Sequence, residues 1–122
     1  MNLIDLFNIQ TELLTPTEVV LTMEIKPEHQ QPYGVMHGGV SCVLAETAAS
    51  MGANQNLDTS KQVAVGLDVQ TTHLRSMKLG QIQAIAQPIK VGHQIQTWRV
   101  KIFHHDQQIS ESTINLFNQQ VN

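Results

Sequence analysis

Charge and cysteine are scarce in this chain. Only 14% of its 122 residues are Asp, Glu, Lys or Arg, where a soluble domain usually carries about 25%. The shortfall predicts that part of the surface does not face water. A single cysteine, Cys42, excludes an internal disulfide framework and any cysteine-based zinc cluster. Seven basic against ten acidic side chains, a net charge of −3, exclude the basic face that a nucleic-acid reader needs. No apolar run approaches the roughly 18 residues of a membrane helix. The opening MNLIDLFNIQ holds an acid and no base, unlike a secretory signal. The histidines show no His-x-x-x-His or comparable ligand spacing, so no metal is expected. The expectation is one cytoplasmic domain, 1–122, with no nucleic-acid partner and no membrane span.

Hydrophobic period then divides the chain into elements. Residues 2–8 predict a short helix with Leu3, Leu6 and Phe7 on one face. Thr17–Lys26 alternates, with Val19, Leu21, Met23 and Ile25 on one side, and predicts a half-buried strand with Gln10–Leu14 pairing against it. Pro27 to Gly34 reads as a loop. Over 38–56 the period changes: Val40, Val43, Leu44, Thr47, Ala48 and Met51 form a helical stripe. The period returns to two over 63–75, with Val63, Val65, Leu67, Val69 and Thr71 on one face, and stays so over 79–90, 94–103 and 109–118. Short turns at 78–80, 91–93 and 104–107 make these four strands expected meander neighbours. One long helix on a single antiparallel sheet is a two-layer α+β domain. The outer sheet face is then either polar or covered by another copy, and closed oligomers are expected.

The informative stretch is Gln31–Ser50. Gly38 and Gly39 follow His37 at the start of the helix. Glycines there are costly unless backbone must approach something closely. A helix start also offers unpaired N–H groups and the positive end of a dipole, fit for a carbonyl oxygen or oxyanion. Gln31 adds an amide donor. Glu46 lies beside the apolar stripe among Cys42, Ala45, Ala49 and Ala53. Desolvation by small apolar neighbours makes a carboxylate more basic, as a general base or nucleophile requires. Ser50 is four residues on, within reach of Glu46. Taken singly, each has a plainer reading. The glycines serve close packing, Glu46 is a solvated helix residue, His37 starts a helix, Ser50 packs, and His73 ends a strand. His104 and His105 read as turn residues. Only the joint pattern points to chemistry.

That pattern, QPYGVMHGGVSCVLAETAAS, resembles the active-site segment of hotdog-fold acyl-CoA thioesterases. It is nearest the branch that uses a helix Glu, which includes 4-hydroxybenzoyl-CoA, phenylacetate-pathway and 1,4-dihydroxy-2-naphthoyl-CoA thioesterases. VGLDVQTTHLRS and GHQIQTWRVKIF resemble later strands of that family, and the likeness spans roughly residues 15–118. The resemblance implies one long central helix, about 38–56, wrapped by a curved antiparallel sheet of five to six strands. It implies that Gln31 and the Gly38 N–H polarise the thioester carbonyl, and that Glu46 is nucleophile or general base. Ser50 would orient the attacking water or substrate, and His37 would contact the thioester or the CoA sulfur region. His73, Arg75 and Ser76 would lie near the acyl group and the CoA arm. Gly92 and His93 fall in a loop of the kind that meets the nucleotide. No cofactor is implied.

The resemblance favours aromatic acyl-CoA, the 1,4-dihydroxy-2-naphthoyl ester first, with phenylacetyl-type or medium-chain acyl-CoA as alternatives. A non-catalytic acyl-CoA binder and a hydroxyacyl dehydratase are the competing functions. Helix geometry adds an independent expectation. Gly38 and Glu46 are eight residues apart, about 12 Å along a helix, whereas a base must lie within about 3 Å of its target or one water away. One chain cannot easily bring both to one carbonyl. A homodimer with shared sites is therefore expected, and the resemblance adds a dimer-of-dimers tetramer.

Overall fold

The computed structural model describes residues 1–121. The alternating segments are strands: β1 (Gln10–Leu14), β2 (Val19–Ile25), β3 (Gln62–His73), β4 (Gly80–Val91), β5 (Ile95–His104) and β6 (Gln107–Gln120). The helices are α1 (Leu3–Leu6) and α2 (Gly38–Gln55). All six strands form one antiparallel sheet in the order β1-β2-β4-β5-β6-β3. It wraps α2, which touches every strand. This is the expected α+β architecture.

The sheet order departs from the expected meander. β3 pairs with β6, and β4 pairs with β2 and β5. The period of a strand says which face is apolar and not which strand lies beside it. Here β2 is the better neighbour for β4. Val19, Leu21 and Met23 lie opposite Ala86, Ala84 and Ile82, and all six are buried, so the pairing extends the core beneath α2. Most of β3 is exposed, with only Ala64 buried, and it sits at the sheet edge. The chain leaves it through 74–79, anchored by Leu74 and Arg75 N–H donating to Ile109 O and by Met36 N–H donating to Met77 O.

β3 also lacks the single apolar face expected of it. Gly66 faces Leu116 and Asp68 faces Asn115, which leaves Leu67 unpaired in a β-bulge. One extra residue flips every later side chain to the other face. Thr71 and His73 therefore point at α2, while Val65 and Leu67 stay exposed.

The buried side of α2 is rotated from the expected stripe. Val40, Leu44 and Ala48 do face the sheet, joined by Ser41, Ala45, Ala49, Gly52 and Ala53. Val43, Thr47 and Met51 are only half-buried. Small residues win because the helix sits tight on the sheet: a Cβ on Gly52 would stand 2.5 Å from the Trp98 ring. α1 differs too. Its Asn2–Asp5 capping box is formed, but Leu3 and Leu6 are exposed and only Phe7 packs inward, against His29.

A buried amide network closes the far end of the core. Trp98 Nε1–H donates to Gln96 Oε1, and Gln96 Nε2 donates to Ala53 O at the end of α2 and to Asn118 Oδ1. Gln96→Leu keeps the volume but orphans the indole N–H and the Asn118 oxygen. A buried unpaired group costs about 1–3 kcal/mol, so the expected result is a Tm lower by roughly 5–10 °C, read by thermal unfolding. In the turn before β3, the Ser60 hydroxyl and N–H donate to Asp58 and hold its carboxyl below the usual carboxylate range. That contribution is present at neutral pH and is lost only as pH falls through the lowered value.

The outer sheet face is mixed. Neutral polar groups such as Gln83, Gln87, Thr97, Thr113 and Asn115 stand beside apolar Ile85, Ile95 and Phe117, which continue the exposed Val65 of β3. Thr97 donates to Asn115, which donates to Asp68. Amides and hydroxyls stand where other domains place charge. Among the described residues there is one ion pair, Arg99–Glu111 at 3.9 Å and half-exposed, worth about 0–1 kcal/mol.

Candidate active site

The loop before α2 is shaped by its own backbone bonds. Gly34 N–H donates to Gln31 O, and Gln31 N–H donates to Val35 O. Tyr33 N–H donates to Gln31 Oε1. With its oxygen tied down, the Gln31 side chain has its NH₂ left to donate. His37 N–H donates to His29 O, and His37 then caps the helix, its Nδ1 accepting from Gly39 N–H at 2.8 Å. In the neutral ring the proton therefore sits on Nε2. The Gly38 N–H finds no partner among the described residues. His73, brought round by the β3 bulge, lies against Gly38, so close that a Cβ there would stand 2.7 Å from Nε2.

Two half-sites result. A cavity of about 370 Å³ is lined by Gln31, Met36, Gly38, His73, Leu74, Arg75, Ser76, Met77 and Ile109. It gathers five of the residues singled out from the sequence. A second cavity, about 320 Å³, is lined by Leu3, Ile4, Val43, Glu46, Thr47, Ser50 and Met51. It holds Glu46 and Ser50. His37 lines a third, with Phe7, His29 and Val40. Gly92 and His93 line none of these. They form the β4–β5 turn, where Asn118 Nδ2 donates to both of their carbonyls.

The environment of Glu46 corrects the sequence reading in two respects. Its side chain is exposed in the single chain, because Ala45, Ala49 and Ala53 turn into the sheet and do not enclose it. Ser50 makes no hydrogen bond to Glu46 among the described residues; its carbonyl instead accepts from Asn54 Nδ2. Leu3 and Ile4 also line the Glu46 cavity, a role that the sequence does not signal. A four-residue helix carries no local sign that it folds beside α2.

The first cavity is lined by two donors without partners among the described residues, the Gln31 NH₂ and the Gly38 N–H, the latter at the positive end of an 18-residue helix. Such a pair suits a carbonyl oxygen that gains charge. The second offers a carboxylate and two hydroxyls on an apolar wall. Neither cavity holds both sets. Among the described residues there is no group of three or more His, Cys, Asp or Glu placed to hold a metal. Among the described residues no helix is long and apolar enough to cross a membrane.

Comparison with known proteins identifies the class. A family model described as Thioesterase superfamily matches residues 33–111. The chain is 39% identical over 85 residues to the 1,4-dihydroxy-2-naphthoyl-CoA hydrolase of Listeria monocytogenes, covering 70% of this chain and 68% of that one. It is 31% identical over 102 residues to the Escherichia coli enzyme of the same name, covering 84% and 74%. The crystal structure of the Staphylococcus aureus protein SAV0944, solved with a glutamate replaced by alanine, superposes with a TM-score of 0.96 at 30% identity, over 98% of this chain and 100% of that one. This chain belongs to the thioesterase superfamily, with the hotdog fold, and is a thioester hydrolase. The non-catalytic binder and dehydratase readings fall away.

Proposed function

We propose that the chain hydrolyses an acyl-CoA with an aromatic acyl group, 1,4-dihydroxy-2-naphthoyl-CoA first among candidates, to the free acid and CoA at sites shared by two protomers. The observation that carries this reading is the split of the site. The carbonyl donors Gln31 and Gly38 and the carboxylate Glu46 line different cavities of one chain. The exposed β3 edge suggests the remedy. If β3 pairs antiparallel with its own copy about a two-fold axis at Gln70, the extra residue of the bulge at Leu67 places Gly66 opposite the partner's His73. Glu46 rests on Gly66, and His73 on Gly38, so each Glu46 then meets the partner's Gly38. The same pairing covers an unpaired strand edge and the apolar Val65 and Leu67. Two such dimers make the tetramer.

In this reading Glu46 takes a proton from water, and the hydroxide adds to the thioester carbonyl. The oxygen, now anionic, is held by the Gly38 N–H and the Gln31 amide. Collapse breaks the C–S bond, and the proton on Glu46 goes to the CoA thiolate. In the covalent variant Glu46 adds to the carbonyl itself, CoA leaves, and water hydrolyses the mixed anhydride. Ser50, beside Glu46, orients the water, and His37 Nε2–H is a donor available to the sulfur. His73, Arg75 and Ser76 flank the acyl group and CoA arm, with the Arg75 cation suited to phosphate. Gly92 and His93 stand further out, as contacts for the nucleotide end. The relatives named for 1,4-dihydroxy-2-naphthoyl-CoA support the aromatic choice.

A panel of acyl-CoAs, read by release of free thiol, tests the substrate class. Aromatic esters are expected to exceed aliphatic ones by about ten-fold or more in kcat/KM, the scale that pocket fit supplies. A preference for medium-chain aliphatic esters would overturn the aromatic assignment. No turnover of any CoA ester would overturn the CoA assignment.

A further inference from the structure

The β3 bulge lies where the strand passes Glu46. Gly66 is its first residue, and an added Cβ there would collide with Glu46 Oε2 and stand 3.2 Å from Cδ. The carboxylate thus rests directly on bare backbone. Glycine inside a strand weakens it and marks a close approach. Here what approaches is the tip of a single acidic side chain. The bulge is also braced from the opposite face of the sheet. Asn115 Nδ2 donates to Asp68 Oδ1 at 3.0 Å, and Thr97 Oγ1 donates to Asn115 Oδ1 at 2.5 Å. The chain of bonds ties the β3 bulge through β6 to β5. A long, exposed side chain such as Glu46 otherwise samples several rotamers, and a fixed backbone seat restricts where its oxygens go.

We propose that Gly66 and its braced bulge form a seat that sets the position of the Glu46 carboxylate, which makes Gly66 a positioning residue for thioester hydrolysis. The inference rests on the assignment of Glu46 as base or nucleophile. It also predicts an uncommon separation of effects. The atom that a new Cβ meets is the far end of a flexible side chain, so the fold yields easily by rotating Glu46. The misplaced carboxylate is felt in the chemical step.

The test compares the full-length wild type with Gly66→Ala, Glu46→Asp, Glu46→Ala and the double variant Gly66→Ala/Glu46→Asp on one acyl-CoA. Thermal unfolding and native mass are measured alongside. A displacement of about 1 Å costs on the order of 10²-fold in rate. Gly66→Ala is therefore expected to lower kcat roughly 10- to 100-fold, with KM, Tm and assembly close to wild type. The shorter Asp withdraws from the new methyl group. Glu46→Asp should then cost far less when added to Gly66→Ala than when added to the wild type, a non-additivity that independent sites do not show. Native kcat in Gly66→Ala, or additive effects in the double variant, overturns the seat if Glu46→Ala is inactive. An active Glu46→Ala overturns the assignment of Glu46 itself. If Gly66→Ala does not fold or assemble, Asn115→Ala decides by removing the brace. A lower kcat at unchanged KM supports the seat, and native kcat overturns it.

Discussion

Glu46→Ala is expected to lower kcat by about 10³-fold or more while acyl-CoA still binds, the loss that follows removal of a base or nucleophile acting only in the transition state. The physical case rests on chemistry that no neighbour can replace. The cavity around Glu46 contains one carboxylate, two hydroxyls from Thr47 and Ser50, and otherwise apolar side chains. Thr47 Oγ1 already donates to Val43 O at 2.7 Å. A neutral hydroxyl neither takes a proton from water nor attacks a thioester unaided at neutral pH. The side chain is exposed, so its removal leaves no buried gap, and folding should be little changed. Loss of rate with retained binding of a non-hydrolysable acyl-CoA analogue is the signature. Near-native hydrolysis would remove Glu46 from the mechanism. Single turnover in ¹⁸O water locates the bond that water forms. Label entering the Glu46 carboxylate marks an anhydride opened at the Glu46 carbonyl, and label confined to the product acid marks attack of water on the acyl carbon.

Mixing two inactive variants should restore activity. In a heterodimer of Glu46→Ala and Gln31→Ala chains, a shared site built from the unaltered Glu46 of one and the unaltered Gln31 of the other is intact. The second site carries both lesions. Random exchange of equal amounts makes half of the dimers mixed, and each has one sound site in two. About a quarter of native activity is expected, from almost none in either parent. Sites contained in one chain give no recovery, because every site then carries one lesion. The prediction has a geometric source: eight helical residues separate Gly38 from Glu46, about 12 Å at 1.5 Å per residue. Exchange is followed by tagging one variant and recovering mixed dimers, so failure to exchange is distinguished from failure to complement.

Much of the fold was legible because it is written in short-range pattern. Val19, Leu21, Met23 and Ile25 alternate and are buried as a set. The helix over 38–55 follows from its period and its alanines. The candidate site was legible for a related reason: Gln31, His37, Gly38, Glu46 and Ser50 fall within 20 consecutive residues, so one turn and one helix set their spacing. The split of Gly38 from Glu46 follows from helix rise alone.

Sequence by itself determined which segments are strands and helix, the single long helix on a sheet, and the cluster of residues with reactive potential, since each depends on spacing within a few residues. Tertiary structure alone decided the rest. It paired β3 with β6 and not β4, because buried area across the sheet chooses neighbours. It turned the small-residue face of α2 inward, because a tightly packed helix has no room for larger side chains. It set Leu3 and Ile4 beside Glu46, and Gly66 beneath it, across 20 or more residues of chain. A one-residue bulge exchanged the two faces of β3 and so brought His73 against Gly38. Contacts between distant segments are set by which arrangement buries the most apolar surface without leaving polar groups unpaired, and that balance exists only once the whole chain has folded.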